Sequence, residues 1–233
     1  KTKDKKNGKK LERIDTKIYE SIVNENSLEK WVKILSEQSI ISVDTETSSL
    51  NPIEADLVGV SFSYKPNKSC YIPIDHKNTN GLEKSLILKK IKPILEDPSI
   101  KKVGQNIKFD YMILKQHGIT VQSMEDTMLI SYILDAGLNR HNLDTLSEIH
   151  LNHKTISYKE LVGSGKKKLN FQDVELKKAT EYAAEDADVT LRLYEKLKNR
   201  LDQEKLNKNY ELFEKPMISL LSEIEFNGIK VDK

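Results

Sequence analysis

The stretch Ile41–Leu50, "ISVDTETSSL", runs from an apolar, β-branched strand signal straight into two acids, Asp44 and Glu46. Side chains alternate along a strand with period two, so these acids share one face, while Val43 and Thr45 point the other way. Packing gives no reason to end a buried strand on paired carboxylates, since an unpaired buried charge costs several kcal/mol. On the pair alone, an exposed strand end is the simpler reading, because Asp-x-Glu is short and common. What settles the matter is what the rest of the chain delivers to that face.

Around this stretch the sequence reads as mixed α/β, with strands early and helices late. "IYESIV" (Ile18–Val23) alternates like a strand, and Ser27 is in place to cap a helix through "LEKWVKIL". After "IISVD", the runs "LVGVSFSY" (Leu57–Tyr64) and "CYIPI" (Cys70–Ile74) form a hairpin across the short "KPNK" gap. "LEKSLILKKIKPIL" reads as a helix that Pro93 ends or bends, and "IKKVGQN" as a short strand leading to a helix start. From about residue 106 onward helical periodicity dominates.

The 233 residues suffice for one large domain with appendages. No run of 18 or more apolar residues is present to span a bilayer. The single cysteine, Cys70, excludes an internal disulfide and fits a reducing, cytoplasmic setting. The net charge of +2 hides an asymmetry: residues 1–17 hold eight basic and three acidic side chains, leaving 30 basic and 33 acidic in the rest. The body is therefore no basic clamp by composition, and any nucleic acid must be gripped locally. The lysine-rich leader reads as a solvated linker, and the missing initiator Met suggests a fragment of a longer protein.

Two helical segments change the reading of the first acids. In Asp173–Leu201, a pitch of about 100° per residue places Ala179, Tyr182, Ala183, Thr190, Leu193 and Leu197 on one stripe. Asp186 lies at its centre, and Glu181, Glu185 and Asp188 are expected outside it. In "GQNIKFDYMILKQHG", Asp110 shares a face with Asn106, Ile107, Ile113 and Leu114, and Asn106 stacks one turn away. A satisfied core hydrogen bond explains Asp110 equally well in isolation. Taken together, two acids on a strand face and one inward acid on each of two helices make a cluster that repels itself. Two divalent cations would neutralise it, with oxygen ligands suiting magnesium or manganese, and such pairs clamp the oxygens of a phosphoryl displacement.

At these residues the chain resembles the proofreading 3′–5′ exonuclease domain of bacterial family A DNA polymerases. "VDTETSSLNP", "VGQNIKFD" and "YAAEDADVT" match its three exonuclease motifs in order, over a resemblance running from about residue 18 to the C-terminus. The resemblance implies an α/β ribonuclease H-like fold with a mixed sheet flanked by helices. It implies residues 1–17 as linker, 18–205 as exonuclease domain and 206–233 as the truncated start of a polymerase domain. Asp44, Glu46 and Asp186 would hold the tighter metal, where zinc is also an option. Asp44, with Asp110 through water, would hold the second. Tyr182, where other relatives carry His, would orient the attacking water with Glu46. Thr47, Leu50, Gln105 and Asn106 would line the terminal nucleotide site, with Phe171 near the terminal bases and Arg140 near the DNA backbone.

The implied activity is metal-dependent release of nucleoside 5′-monophosphates from single-stranded or frayed DNA 3′ ends, by a monomer that works beside a polymerase domain of the same chain. Two rivals remain: an RNA exonuclease of the ribonuclease D type, which shares the acids and the Tyr, and a non-catalytic scaffold, which should have lost acids. Other signals carry less. A P-loop at "VGSGKKK" would need Gly at position 160 and Ser or Thr at 167, where the chain has Glu160 and Lys167. A basic loop touching nucleic acid remains an option for Lys166, Lys167 and Lys168, beside a plain solvated charge run. His150 and His153 lack the companions of a zinc site, and Trp31, Tyr64 and Tyr132 read as packing residues.

Overall fold

A computed structural model describes residues 12–77, 79, 81–165 and 168–231. Six strands form one mixed sheet: β1 (Glu20–Ser21), β2 (Ile40–Thr47), β3 (Leu57–Lys65), β4 (Lys68–Pro73), β5 (Lys101–Gly104) and β6 (Met124–Asp126). Their spatial order is β1-β4-β3-β2-β5-β6. The β2–β3–β4 portion is antiparallel, while β1 joins β4 and the β5–β6 edge joins β2 in parallel. In β2, Asp44 sits opposite Ser61 and Glu46 opposite Gly59, and the register slips between Glu46 and Thr47. The ladder therefore shifts immediately after the second acid, with Val58 the extra residue on β3, as bulges do where a side chain is re-aimed.

The two sheet faces are built differently. Ile41, Val43, Val60, Phe62, Cys70 and Ile72 look into a large apolar core. That core is shared with α1 (Glu25–Ser36), α2 (Lys84–Glu96) and α3 (Ile107–Gln116). The opposite face presents small residues, Ser42, Gly59, Ser61 and Ser63, to the long helix α7 (Leu176–Gln203). Ala183, Ala184 and Ala187 are buried on α7, and the Ser42 hydroxyl donates 2.7 Å to the Ala187 carbonyl. Small side chains on both partners let backbones approach closely, and this approach carries Asp186 down to the strand acids. The space is filled: a Cβ on Gly59 would fall 2.1 Å from the Tyr71 hydroxyl.

Several local expectations change. The "IYESIV" strand shrinks to a 3-10 turn at Thr16–Ile18 and the two-residue β1. The cap of α1 is Asn24, whose side chain accepts from Ser27 N, so Ser27 lies inside the first turn. Pro93 does not end α2, which continues to Glu96. In the helical half, β6 is a strand, held by its parallel pairing to β5. The remaining α-helices among the described residues are α4 (Thr127–Asp135), α5 (Leu143–Leu146), α6 (Tyr158–Val162), α8 (Asn207–Asn209) and α9 (Met217–Asn227), with π-helical turns at Ser147–Leu151 and Tyr210–Glu214. Trp31 is buried edge-on to Tyr64, as packing residues should be, whereas Tyr132 is half exposed against His141. Among the described residues, no helix is long and apolar enough to cross a membrane. Most of the leader, residues 1–11, lies outside the described residues, as do Lys166 and Lys167.

Candidate active site

β2 and α7 bring Asp44, Glu46 and Asp186 together, with one carboxylate oxygen from each lying within 4.8 Å of the others. They line a cavity of about 630 Å³ with Thr47, Leu50, Phe109, Tyr158, Lys168, Phe171 and Tyr182. Burial is the largest influence on all three acids and pushes their pKa values up, Glu46 to about 8. Neighbouring carboxylates push further in the same direction: Asp110 acts on Asp44 and Glu46, and Glu46 acts on Asp186. Hydrogen bonding from the Tyr182 hydroxyl pulls Asp186 part of the way back. Among the described residues, none of the three acids forms an ion pair, whereas buried Glu125, Glu185 and Asp188 each face a basic side chain.

Asp110 reaches the same strand from the α3 side. Its Oδ1 accepts from Thr45 N at 2.8 Å and Thr45 Oγ1 at 2.6 Å, at the residue between the two strand acids. Burial raises its pKa to about 7, and these two hydrogen bonds moderate the rise. Thr45 points away from Asp44 and Glu46, yet it is the link that places the fourth carboxylate beside them. Asn106 is the residue before α3, with left-handed backbone (φ 60°, ψ 46°) and no capping hydrogen bond from its side chain.

The α7 stripe also needs correcting. Glu185 and Asp188, expected on the outer side, are 1% and 0% exposed. Asp188 takes a two-pronged ion pair from Arg192 (2.9 and 3.0 Å), the Tyr19 hydroxyl at 2.8 Å and Asn67 N at 3.1 Å. Glu185 accepts from Ile156 N at 2.6 Å and lies 2.8 Å from His153 Nε2. The helix is buried over most of its girth, which a one-stripe reading cannot show. His153 thereby has a structural partner.

The nucleotide-site candidates divide. Thr47 and Leu50 line the cavity, Leu50 with 93% of its surface exposed. Gln105 is engaged elsewhere: it donates to the His141 carbonyl at 2.6 Å and accepts from the Thr127 hydroxyl at 2.6 Å. Arg140 is exposed on the loop between α4 and α5, and neither it nor Asn106 lines the cavity. Phe171 also lines the cavity but is only 2% exposed, packed among Tyr71, His76 and Tyr182. Tyr158 is more open. It is 41% exposed, lies 6.1 Å from the Tyr182 ring and has Lys168 Nζ over its own ring at 5.7 Å. A sequence signal marks it: Ser157 and Glu160 form the capping box that starts α6 and sets Tyr158 in its first turn.

Comparison with known proteins identifies the family. The 3′–5′ exonuclease family profile matches residues 19–202. DNA polymerase I of Rhizobium leguminosarum is 41% identical over 94% of the chain, and that of Pseudomonas aeruginosa 38% identical over 92%. The chain spans 24% of the length of each. Among solved structures, Brucella melitensis NrnC superposes with a TM-score of 0.63 at 26% identity, covering 83% of this chain and 87% of that one. The POL domain of Pol1 from M. smegmatis gives a TM-score of 0.69 at 20% identity over 91% of this chain and 33% of that one, a likeness of fold alone. The sheet is thus that of the ribonuclease H-like exonucleases, and the chain belongs to the 3′–5′ exonuclease family, as a domain similar to the exonuclease domain of DNA polymerase I.

Proposed function

We propose that this domain hydrolyses the 3′-terminal phosphodiester of DNA with two divalent cations, releasing nucleoside 5′-monophosphates, as the proofreading module of a bacterial, cytoplasmic DNA polymerase I. The observation that carries the reading is the convergence of half-buried Asp44 and Asp186 with buried Glu46, without an ion-pair partner among the described residues and with Asp110 alongside. This donor set fits hard cations: it is all carboxylate oxygen, and its repulsion is relieved only by protons or positive charge. Magnesium or manganese is the expected pair, with zinc able to occupy the tighter position. When bound, the cations supply Lewis-acid charge at the scissile phosphate.

The chain's own residues do the rest. Asp44, Glu46 and Asp186 would hold the tighter cation, and Asp44, with Asp110 through water, the second. Tyr182 keeps its proton, since burial and the neighbouring acids push its pKa far up, so it acts as a hydrogen-bond donor that orients the attacking water with Glu46. Exposed Leu50 and the Tyr158 ring flank the cavity as apolar faces for the terminal bases, and Phe171 backs Tyr182. Thr47, and Asn106 at the turn before α3, complete the nucleotide site, with Gln105 as its support. Lys168 at the cavity and Arg140 outside it meet the backbone. A recessed site of this kind favours single-stranded or frayed ends, because a duplex terminus must first unpair.

The domain spans residues 18–205, acts as a monomer, and continues through 206–233 into a polymerase domain. Digestion of a labelled single-stranded DNA with magnesium, manganese or EDTA tests the reading, and hydrolysis that survives EDTA ends it. An RNA exonuclease of the ribonuclease D type, which would share the four acids and the Tyr, is the second reading. Oligomers of one sequence in DNA and RNA form separate the two, since faster cleavage of the RNA would favour the rival. A non-catalytic scaffold finds no support in a chain that retains all four acids.

A further inference from the structure

Asp126, at the end of β6, is 1% exposed and touches neither the cavity nor the three converging acids. Its carboxylate nonetheless collects four backbone donors. Oδ1 accepts from Asn106 N (3.0 Å), Met128 N (2.8 Å) and Leu129 N (3.4 Å), and Oδ2 accepts from Ile107 N (3.0 Å). One side chain thus caps α3 and α4 at once. The α3 start needs such help: Asn106 has positive φ, and its own side chain makes no capping bond. The next residue tightens the same turn, because the Thr127 hydroxyl donates to the Gly104 carbonyl at 3.1 Å and lies 2.6 Å from Gln105 Oε1. From the C-terminal segment, the buried Tyr210 hydroxyl accepts from Asp126 N at 2.9 Å.

Asp110 lies in the first turn of the helix so clamped, and it meets Thr45 between the two strand acids. A shift of the α3 start moves Asp110 relative to Asp44 while leaving the β2–α7 contact alone. We propose that Asp126 is a positioning residue for the second cation: by clamping the Gly104–Ile107 turn it fixes Asp110, and it has no part in holding the tighter cation. This rests on the two-cation reading of the site. Partners of metal ligands tune affinity in this way, and their loss typically costs about 10–100-fold.

The test is manganese calorimetry on wild type, Asp126→Asn and Asp110→Asn, with kcat and KM measured across a magnesium series. The Asn amide turns an NH2 toward backbone donors that Asp126 now accepts, so the turn loosens with little change in volume. In Asp126→Asn the weaker manganese site should lose about tenfold or more in affinity, and the tighter site should stay within about twofold. The magnesium needed for half-maximal kcat should rise, and high manganese should restore the rate. Wild-type binding at both sites overturns the proposal, as does weakening of both in step with a lowered Tm, the mark of a merely structural role. Loss of the weaker site in Asp110→Asn alone sinks this inference and spares the two-cation reading. Wild-type metal binding and activity in Asp110→Asn would remove Asp110's role and this proposal with it. Should Asp126→Asn fail to fold, Thr127→Val loosens the same turn more gently. It should shift the weaker site in the same direction, and an unshifted weaker site there counts against the clamp.

Discussion

One helix carries two kinds of buried acid, two residues apart. Asp188 of α7 is wholly enclosed and fully matched by Arg192, the Tyr19 hydroxyl and Asn67 N. Asp186 meets Asp44 and Glu46, like charges, with no counter-ion among the described residues. The enclosed acid is less suspicious than its half-buried neighbour, because burial alone does not mark function. An unsatisfied charge does, since the fold must leave it something to bind.

The sharpest way to break this comparison is to remove each acid in turn. Asp186→Ala should abolish hydrolysis, a loss beyond about a thousandfold, while circular dichroism stays native and the metal-free Tm holds or rises as repulsion is relieved. Asp188→Ala should do the reverse. It strands Arg192 without its partner and should cost about 3–5 kcal/mol in urea unfolding, with the folded fraction retaining its turnover. Equal stability losses in the two variants would erase the distinction.

Next in size is Tyr182→Phe, which keeps the ring and removes the hydroxyl beside Asp186. A drop of about 10²-fold in kcat is expected, with manganese affinity unchanged by calorimetry. A large fall in manganese binding would make Tyr182 a prop for the ligand helix instead.

Proton binding sharpens the contrast further. The clustered acids have folded pKa values raised above their unfolded ones, Glu46 to about 8 and Asp110 to about 7. The native state therefore holds more protons than the unfolded chain between about pH 4 and pH 8. Without metal, stability should fall as pH rises through that window. Millimolar magnesium or Asp186→Asn should flatten the fall, because either removes the repulsion. Thermal melts from pH 5 to pH 8.5 in EDTA check this, and a metal-free Tm that climbs with pH would contradict the assignment.

The smallest effect concerns grip outside the acid cluster. Replacing Lys166, Lys167 and Lys168 with Ala should raise KM a few-fold and leave kcat at saturating DNA intact. With about three phosphate contacts, the salt slope on single strands is roughly −2 at ~0.7 per contact, and the triple variant should flatten it. A salt series on Asp186→Ala protein, with and without the lysine changes, measures this. An unchanged slope returns the segment to a bland surface loop.

The chain's periodicities and motif spacings were enough to place Asp44, Glu46, Asp110, Tyr182 and Asp186 in one reading, because a period of two on a strand and 3.6 on a helix is local information. The same locality explains the misses. A helix wheel knows one partner surface, so it put Glu185 and Asp188 outside; α7 packs against the sheet on one side and against α4 and the N-terminal and His153 segments on others. β6 is three residues long and owes its strand character to β5 beside it. Phe171 and Tyr158 both line the cavity near the third motif, and only packing decides that one is 2% exposed and the other 41%. The sequence by itself determined which groups could do the chemistry. The tertiary structure decided which charges are matched and which are left unmatched, because the partners of a buried charge lie far along the chain: Asp188 with Tyr19, Asp110 with Thr45, Asp126 with Asn106.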